Sequence, residues 1–300
     1  MPYSKLFPRR AVLGTSLGFA LAAASTHVAR ATESVLPPAA PSLMPVLYVS
    51  HGAPLLPIDR VRSGELTAWG QNLPKPRGIL VMTPHFGARR LGLGPSAKGF
   101  GMYDMPGWVK RQLPQNLDYA TPPSEALARR VEELLAEEAP LDRPLRRGFD
   151  HTTWMPLYYL FPAADVPVLE LSFPYRPDAD IFALGHKLSM LRNEGIVFCA
   201  SGQWTHNLAA LTLDGPAPAW SKEFDAWGAE TLTAANIDAL LDWRRKAPAA
   251  EIAHPDDGGH FRVMLFVLGA LLGAGGGLKE VRFPVLGFES SLSKRCIELT

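Results

Sequence analysis

Short, almost uninterrupted apolar runs recur along this chain of 300 residues and constrain its fold more than any other feature. Runs of this length are expected for β-strands that are covered on both faces, as in parallel sheets. The predicted strands cover residues 46–50, 78–83, 166–172, 196–200 and 281–286. The predicted helices cover residues 124–138, 179–193, 221–244 and 261–272, the last of them apolar almost all round and therefore buried. The alternation predicts an α/β fold with one central, mostly parallel or mixed sheet flanked by helices.

The N-terminal segment has the features of an export signal. Arg9 and Arg10 precede an apolar stretch over residues 11–24, and Ala-Arg-Ala at 29–31 matches a cleavage site of small residues. The stretch is shorter than the ~20 apolar residues that a membrane-spanning helix needs, so an uncleaved membrane anchor is the less favoured alternative.

The domain prediction that follows has three parts. These are a twin-arginine-type signal peptide over residues 1–31, a linker rich in proline and alanine over 32–42, and a single folded domain over 43–300. The signal predicts a periplasmic or otherwise exported protein. Such a protein is carried by the twin-arginine export machinery and has no stable membrane association after cleavage.

The charge balance argues against nucleic acid as a partner. The chain carries 30 basic and 29 acidic side chains. Cleavage after residue 31 would remove four basic residues and no acidic one, leaving 26 against 29. No basic stripe remains to neutralise phosphates.

Cysteine usage excludes two further classes of protein. Only Cys199 and Cys296 are present, so neither a disulfide framework nor a cysteine-based zinc site is expected. Cys199 lies inside an apolar run and is expected to be a buried thiol, while pairing with Cys296 in an oxidising compartment is left open.

Three histidines each follow one of the predicted strands. They are His51 in VLYVSHG, His85 in GILVMTPHFG and His206 in GIVFCASGQWTHN. In an open α/β sheet the groups beyond the carboxyl ends of the strands share one crevice, and converging histidines suggest a metal ion. His151 in FDHTTWMPL and His260 in HPDDGGHFRVMLFVLGA complete a constellation of five.

Each of these histidines has a plainer alternative. His51 and His85 are candidate ligands, or structural side chains that bond a loop carbonyl. His206 could be either a ligand or a proton-transfer group, and His260 either a ligand or a helix cap. We expect His151 to bond a neighbouring acceptor through one ring nitrogen and to present the other nitrogen to a substrate.

The remaining polar residues give weaker signals. His186 is predicted to face solvent from its helix, and His254 is placed in a polar loop without a role. The carboxylates considered as ligands are Asp59, Asp104, Asp256 and Asp257, none of them at a spacing that identifies a metal site. Ser201 lacks the Gly-x-Ser-x-Gly elbow of a nucleophilic serine.

Several longer motifs point to one family. They are SHGAP, GMYDMPG, DHTTWMPLYYLFPAADVPVLELSF, LRNEGIVFCASGQWTHNL, HFRVMLFVLGALLG and the closing SSLS. In this order and spacing the chain resembles the class III, protocatechuate 4,5-dioxygenase-type extradiol dioxygenases, and specifically their 4,5-DOPA dioxygenase branch. The DHTTWMPL and SGQWTHNL motifs are the most specific.

The resemblance implies a metal-dependent oxidoreductase that opens the aromatic ring of a small, DOPA-like catechol with O₂. It makes His51, His85 and His260 the ligands of one divalent metal ion per chain, with Fe²⁺ expected and Zn²⁺ possible. His206 becomes the acid/base histidine near the metal, and His151 contacts the oxygens of the substrate. The domain over residues 43–300 would then be the catalytic domain.

Alternatives to this interpretation use the same scaffold. One is an exported zinc-dependent hydrolase that generates hydroxide at a three-histidine site. The other is a non-catalytic protein that binds a catechol or a metal. The aromatic residues Tyr103, Trp154 and Trp204 are candidates for the ring pocket, although core packing is the favoured role for each.

Overall fold

The computed structural model describes residues 43–114, 117–144, 147–212 and 215–300. The predicted signal peptide over 1–31 and the predicted linker over 32–42 lie outside these residues. The strands are β1 (Val46–Ser50), β2 (Gly78–Ala88), β3 (Val168–Pro174), β4 (Ile196–Gly202), β5 (Val281–Val285), β6 (Phe288–Glu289), β7 (Leu292–Ser293) and β8 (Cys296–Leu299). The helices are α1 (Arg60–Gly70), α2 (Gly107–Lys110), α3 (Glu125–Leu134), α4 (His151–Leu160), α5 (Asp178–Leu188), α6 (Ala219–Thr233), α7 (Ile237–Leu241), α8 (Trp243–Lys246), α9 (Ala250–Ala253) and α10 (Gly259–Gly273).

Six strands form one mixed sheet in the order β3-β2-β4-β1-β8-β5. The first four are parallel, and β8 and β5 extend the sheet in antiparallel pairing. Strands β6 and β7 pair separately. The α/β fold with a mixed central sheet is therefore confirmed, and the parallel strands end at one common edge.

Both faces of the central strands are buried. Successive residues of β1 point alternately into two apolar layers, with Val46 and Tyr48 in one layer and Leu47 and Val49 in the other. One layer packs under α3, α5 and α10, and the other under α1 and α4. Strands β2 and β4 alternate in the same way, which explains why their sequences are continuous apolar runs.

The prediction of one continuous helix over residues 221–244 is wrong. The chain forms three shorter helices, α6, α7 and α8, between residues 219 and 246. The first break falls at Ala235, which has a left-handed φ of 53°. Asn236 follows, and its side chain accepts a hydrogen bond from the backbone N–H of Ala239 to start the next helix.

Other predictions for single residues can be compared with the structure. His186 is exposed on α5, as predicted. Cys199 and Cys296 are buried free thiols on β4 and β8, two strands that are separated by β1. Within the described part of the chain, no helix is both long and apolar enough to span a bilayer.

Candidate functional site

Three elements bring His51, His85 and His260 to the same edge of the sheet. His51 follows the last residue of β1, and His260 is the second residue of α10. His85 lies in a bulge of β2, because the pairing with β3 skips from Thr83 to Gly87. A bulge turns the side chain of its extra residue out of the regular pleat, so His85 can face the crevice.

The three imidazole rings form a nearly equilateral triangle. Their centroids lie 5.5 Å apart for His51 and His85, 5.4 Å for His51 and His260, and 5.4 Å for His85 and His260. One nitrogen from each ring lies within 4.8 Å of the others, and the Nε2 atoms of His85 and His260 are 3.3 Å apart. Two nitrogens bound at about 2.1 Å to one ion stand about 3.0 Å apart at a right angle and about 3.4 Å apart at the tetrahedral angle. The triangle therefore fits a single divalent metal ion.

The protonation state of the triangle also suits a metal. Burial, followed by the proximity of the other histidines, lowers the pKa of His51 and of His260 well below the usual value. Both rings are therefore neutral near neutral pH, and neutral imidazole is the form that ligates a metal ion.

The hydrogen bonds of His51 fix its tautomer. The hydroxyl of Ser201 donates its one proton to the backbone carbonyl of Thr152. Its oxygen can then only accept from the Nδ1–H of His51, at 3.2 Å. The lone pair of His51 is left on Nε2, as a metal ligand requires.

His151 begins α4 and is held by Asp104. Oδ1 of Asp104 accepts from the backbone N–H of His151 at 2.9 Å and lies 3.0 Å from its Nδ1. Burial acts to raise the pKa of Asp104, but these hydrogen bonds outweigh it and lower the pKa. The His151 ring lies beside that of His85, with 4.9 Å between centroids. Asp150, which precedes His151 in the sequence, caps α4 instead.

His206 stacks on His260. The two ring centroids are 3.5 Å apart and the planes differ by 11°. Nitrogens of His206 and His260 and a carboxylate oxygen of Asp256 also lie within 4.8 Å of one another. The Nδ1 atom of His206 is 3.5 Å from Oδ2 of Asp256. This contact is the main cause that lowers the pKa of Asp256 to about 2.

A cavity of about 400 Å³ opens over the histidines. All five histidines line it, together with apolar residues and the side chains of Gln203, Thr212 and Glu289. Its volume lies in the range of about 300–1,000 Å³ that is usual for small-molecule sites. The arrangement can hold a metal ion at one end and a small ligand beside it.

Comparisons with known proteins agree with this geometry. The family profile described as the catalytic LigB subunit of aromatic ring-opening dioxygenase matches residues 47–291. The chain belongs to the LigB family. It is 31% identical over 273 residues to the 4,5-DOPA dioxygenase extradiol of Escherichia coli (strain K12), covering 85% of this chain and 94% of that protein. A Beta vulgaris protein of the same name is 32% identical over 217 residues, covering 69% of this chain and 80% of that protein.

A solved structure supports the LigB assignment at the level of the fold. The crystal structure of an uncharacterized protein from Escherichia coli K12 matches with a TM-score of 0.69 and 30% sequence identity. The match covers 86% of this chain and 100% of that chain. The predicted resemblance to extradiol dioxygenases is thus confirmed at the level of the family.

Sequence reasoning missed the partners of the histidines in this LigB chain. Asp104, Asp256 and Ser201 were considered only as ligands or as a nucleophile. In the structure Asp104 and Ser201 accept hydrogen bonds from His151 and His51, and Oδ2 of Asp256 lies 3.5 Å from Nδ1 of His206. Asp104 and His151 are 47 residues apart in the sequence, and His51 and Ser201 are 150 residues apart, so sequence spacing gave no signal.

The prediction for His254 is wrong. This side chain is fully buried among aromatic rings, and its Nε2 atom lies 3.1 Å from the backbone carbonyl oxygen of Trp204. Burial lowers its pKa to about 3, so the ring is neutral and donates from Nε2. His254 therefore supports the segment that carries His206.

The three aromatic residues that were candidates for the ring pocket pack in the protein core, which was the favoured role. Trp154 and Trp204 are buried in the two core layers, and Tyr103 packs on Trp154 with 5.3 Å between ring centroids. The indole that lines the cavity is instead Trp108, on α2.

Proposed function

We propose that this protein is an extradiol dioxygenase that opens the ring of a small catechol with O₂ at one divalent metal ion. The observation that carries the proposal is the triangle of His51, His85 and His260 at the end of a cavity of about 400 Å³. Membership of a family of aromatic ring-opening dioxygenases supports the reaction type.

The three histidines would hold the metal, with Fe²⁺ as the ion expected for this reaction. When bound, the ion would lower the pKa of the catechol hydroxyls and supply the redox chemistry that O₂ requires. Zn²⁺ also suits three imidazole ligands. The nearby carboxylates of Asp104 and Asp256 are engaged with His151 and His206, which leaves an all-histidine donor set.

His206 would act as the acid/base group. Its Nδ1–H faces the carboxylate of Asp256, so the lone pair is on Nε2. Nε2 can take the proton of a catechol hydroxyl, and the negative charge of Asp256 stabilises the imidazolium that results. The stacking on His260 keeps this base beside the metal ligands.

His151 would orient the substrate. Asp104 binds its Nδ1–H and its backbone N–H together, which fixes the ring at the start of α4. Its Nε2 atom is then free to hydrogen-bond an oxygen of the substrate in the cavity that it lines.

The cellular location is part of the same proposal. We infer that residues 1–31 are a twin-arginine-type signal, that 32–42 are a linker and that 43–300 form the catalytic domain of an exported, periplasmic protein. Arg9, Arg10 and the small residues at 29–31 support this inference. That export route carries folded proteins, so a metal can be inserted before export.

The function can be tested by anaerobic reconstitution with Fe²⁺. We expect the loaded protein to take up O₂ in proportion to added catechol and to form the yellow absorbance of a ring-opened semialdehyde. No uptake by iron-loaded protein across a panel of catechols would contradict the proposal. Ester hydrolysis by zinc-loaded protein without O₂ would then indicate the hydrolase, and catechol binding without any product would indicate the binding protein.

A further inference from the structure

The cavity wall away from the histidines is largely apolar. It is formed by Ala53, Pro54, Leu55, Trp108, Leu208, Leu211 and Leu292. Trp108 and Leu208 are 52% and 60% exposed, so the apolar wall continues to the protein surface. A substituent on a bound aromatic ring would therefore extend between apolar side chains.

Two polar side chains of the cavity are already hydrogen-bonded within the protein. The amide of Gln203 accepts from the backbone N–H of Gly52 at 2.7 Å and donates to the carbonyl of Ser293 at 2.5 Å. The hydroxyl of Thr212 is 2.9 Å from that of Ser290. These contacts orient both side chains, and neither side chain carries a positive charge that could pair with a carboxylate.

The charge on the wall comes from a carboxylate. Among the described residues that line the cavity, Glu289 is acidic and none is a lysine or an arginine. Its Oε2 atom accepts from the backbone N–H of Ala53 at 3.3 Å and lies 3.8 Å from the guanidinium of Arg62. Arg62 is only 2% exposed, so its charge stabilises Glu289 from inside the protein and is not offered to a ligand.

These features disfavour an anionic ligand. On the wall away from the histidines, a carboxylate of a ring substituent would lose hydration without gaining a cationic side chain as partner, and it would also approach Glu289. An apolar substituent would instead bury its surface against Leu211, Leu292 and the indole of Trp108.

We propose that this cavity selects catechols with an apolar ring substituent over catechols with an anionic one, and that Glu289 is the residue that disfavours a carboxylate on that substituent. The proposal rests on the proposed ring opening of a catechol and narrows its substrate class. It makes a catechol whose side chain carries only a carboxylate a poorer substrate than a catechol with a neutral chain.

The test compares catechols that differ in charge. The three substrates are dihydrocaffeate, which has a propanoate side chain, its uncharged methyl ester, and propylcatechol. With iron-loaded protein, we expect kcat/KM from O₂ uptake to be at least about tenfold higher for the two neutral compounds, a factor that corresponds to about 1.4 kcal/mol. Equal values for the acid and its ester would overturn the proposal.

A substitution at Glu289 tests whether this side chain causes the preference for neutral substrates. Glu289→Gln keeps an oxygen that can accept from Ala53 while it removes the negative charge. We expect the preference for the ester over the acid to fall by about threefold or more, as for one partly solvated charge pair. The control is Glu251→Gln, which removes a carboxylate with a side chain that is 75% exposed and does not line the cavity, and which should leave the preference unchanged. An unchanged preference in Glu289→Gln would overturn the role of Glu289.

The readouts separate this proposal from the proposed function. If neither these three compounds nor L-DOPA supports O₂ uptake, the dioxygenase proposal fails, whereas uptake with L-DOPA alone would overturn only the selectivity. Calorimetric titration of the same compounds into metal-loaded protein without O₂ then still tests whether the cavity binds neutral catechols more tightly than the acid. Tighter binding of the ester and propylcatechol than of the acid would support the selectivity, and equal Kd values would contradict it.

Discussion

Polar partners at Nδ1, hydrogen-bonded in two pairs and 3.5 Å away in the third, fix the proton position in three of the five site histidines. The pairs are His51 with Ser201, His151 with Asp104, and His206 with Asp256. In each pair the partner lies at Nδ1, so the lone pair of the histidine is on Nε2. The partners therefore matter for function although they need not touch a substrate.

Ser201 provides a test of this arrangement. Ser201→Ala removes the acceptor of the His51 Nδ1–H, so we expect affinity for the metal to fall about 10–100-fold. Competition with a chelator of known affinity measures the change. Ser189→Ala is the matched control, because Ser189 is also buried but lies beside Gly273, at the other end of α10 from His260. An equal loss in both variants would contradict the role given to Ser201.

The role of His206 can be separated from that of a ligand. We expect His206→Ala to keep its metal and to lose about 10²–10⁴-fold in turnover, the usual contribution of an acid/base group. Metal content is measured by mass spectrometry and turnover by O₂ uptake. The exposed His186→Ala should change neither quantity. A His206→Ala protein without bound metal would show that His206 is a ligand.

At the scale of elements, the contact between α5 and α10 positions His260. A Cβ atom on Gly269 would lie 1.9 Å from the carbonyl oxygen of Phe182, so the two helices meet through their backbones. We expect Gly269→Ala to lower the free energy of unfolding by about 3 kcal/mol and to weaken metal binding, since α10 must shift.

A glycine on another helix supplies the control for Gly269. A Cβ atom on Gly64 in α1 meets nothing within 4 Å. Gly64→Ala should therefore raise the free energy of unfolding, by about 0.5–1 kcal/mol. Urea denaturation measures both variants. A Gly269→Ala protein as stable as the wild type would contradict the close packing.

The elements differ in how well the sequence predicts them. Buried strands are continuous apolar runs, so β1 was predicted at its observed bounds and β4 within two residues. Helix α4 was missed because its HTTWMPLYYL sequence shows little amphipathic periodicity and contains Pro156. The helix predicted over 221–244 failed because one alanine adopts a left-handed conformation that its side chain does not signal.

At the scale of the whole molecule, buried histidines should make stability depend on pH. The pKa of His254 is about 3 in the folded protein, against about 6.5 when unfolded. The unfolded chain therefore binds a proton first, and the stabilisation that is complete above about pH 6.5 is lost as the pH falls towards 3, by up to about 1.4 kcal/mol per pH unit.

Between about pH 6.5 and about pH 4, we expect the free energy of unfolding of His254→Gln to fall less steeply with pH than that of the wild type. The two slopes should differ by close to the amount for one bound proton. Urea denaturation of metal-loaded protein across this range gives both slopes. His186→Gln should keep the slope of the wild type because His186 is exposed. Parallel curves for His254→Gln and the wild type would contradict the buried, neutral state of His254.

The site as a whole combines predictable and unpredictable parts. His51 and His85 could be found because a parallel sheet places strand ends together, while His260, at the start of α10, joined the predicted ligand set through the family resemblance. The three do lie within one cluster. The composition of the cavity wall could not be found, because Trp108, Leu211 and Glu289 come from segments far apart in the sequence. Such contacts depend on the tertiary fold and leave no local pattern.

The central claim is that the three-histidine site inserts O₂ into a catechol. The most direct measurement is the mass of the ring-opened product formed by iron-loaded protein from propylcatechol under ¹⁸O₂. We predict that both atoms of one O₂ molecule enter the product, apart from label lost by exchange of an aldehyde oxygen with water. A product without label, or no product from protein shown to contain iron with propylcatechol or with any other catechol of the panel, would contradict the claim.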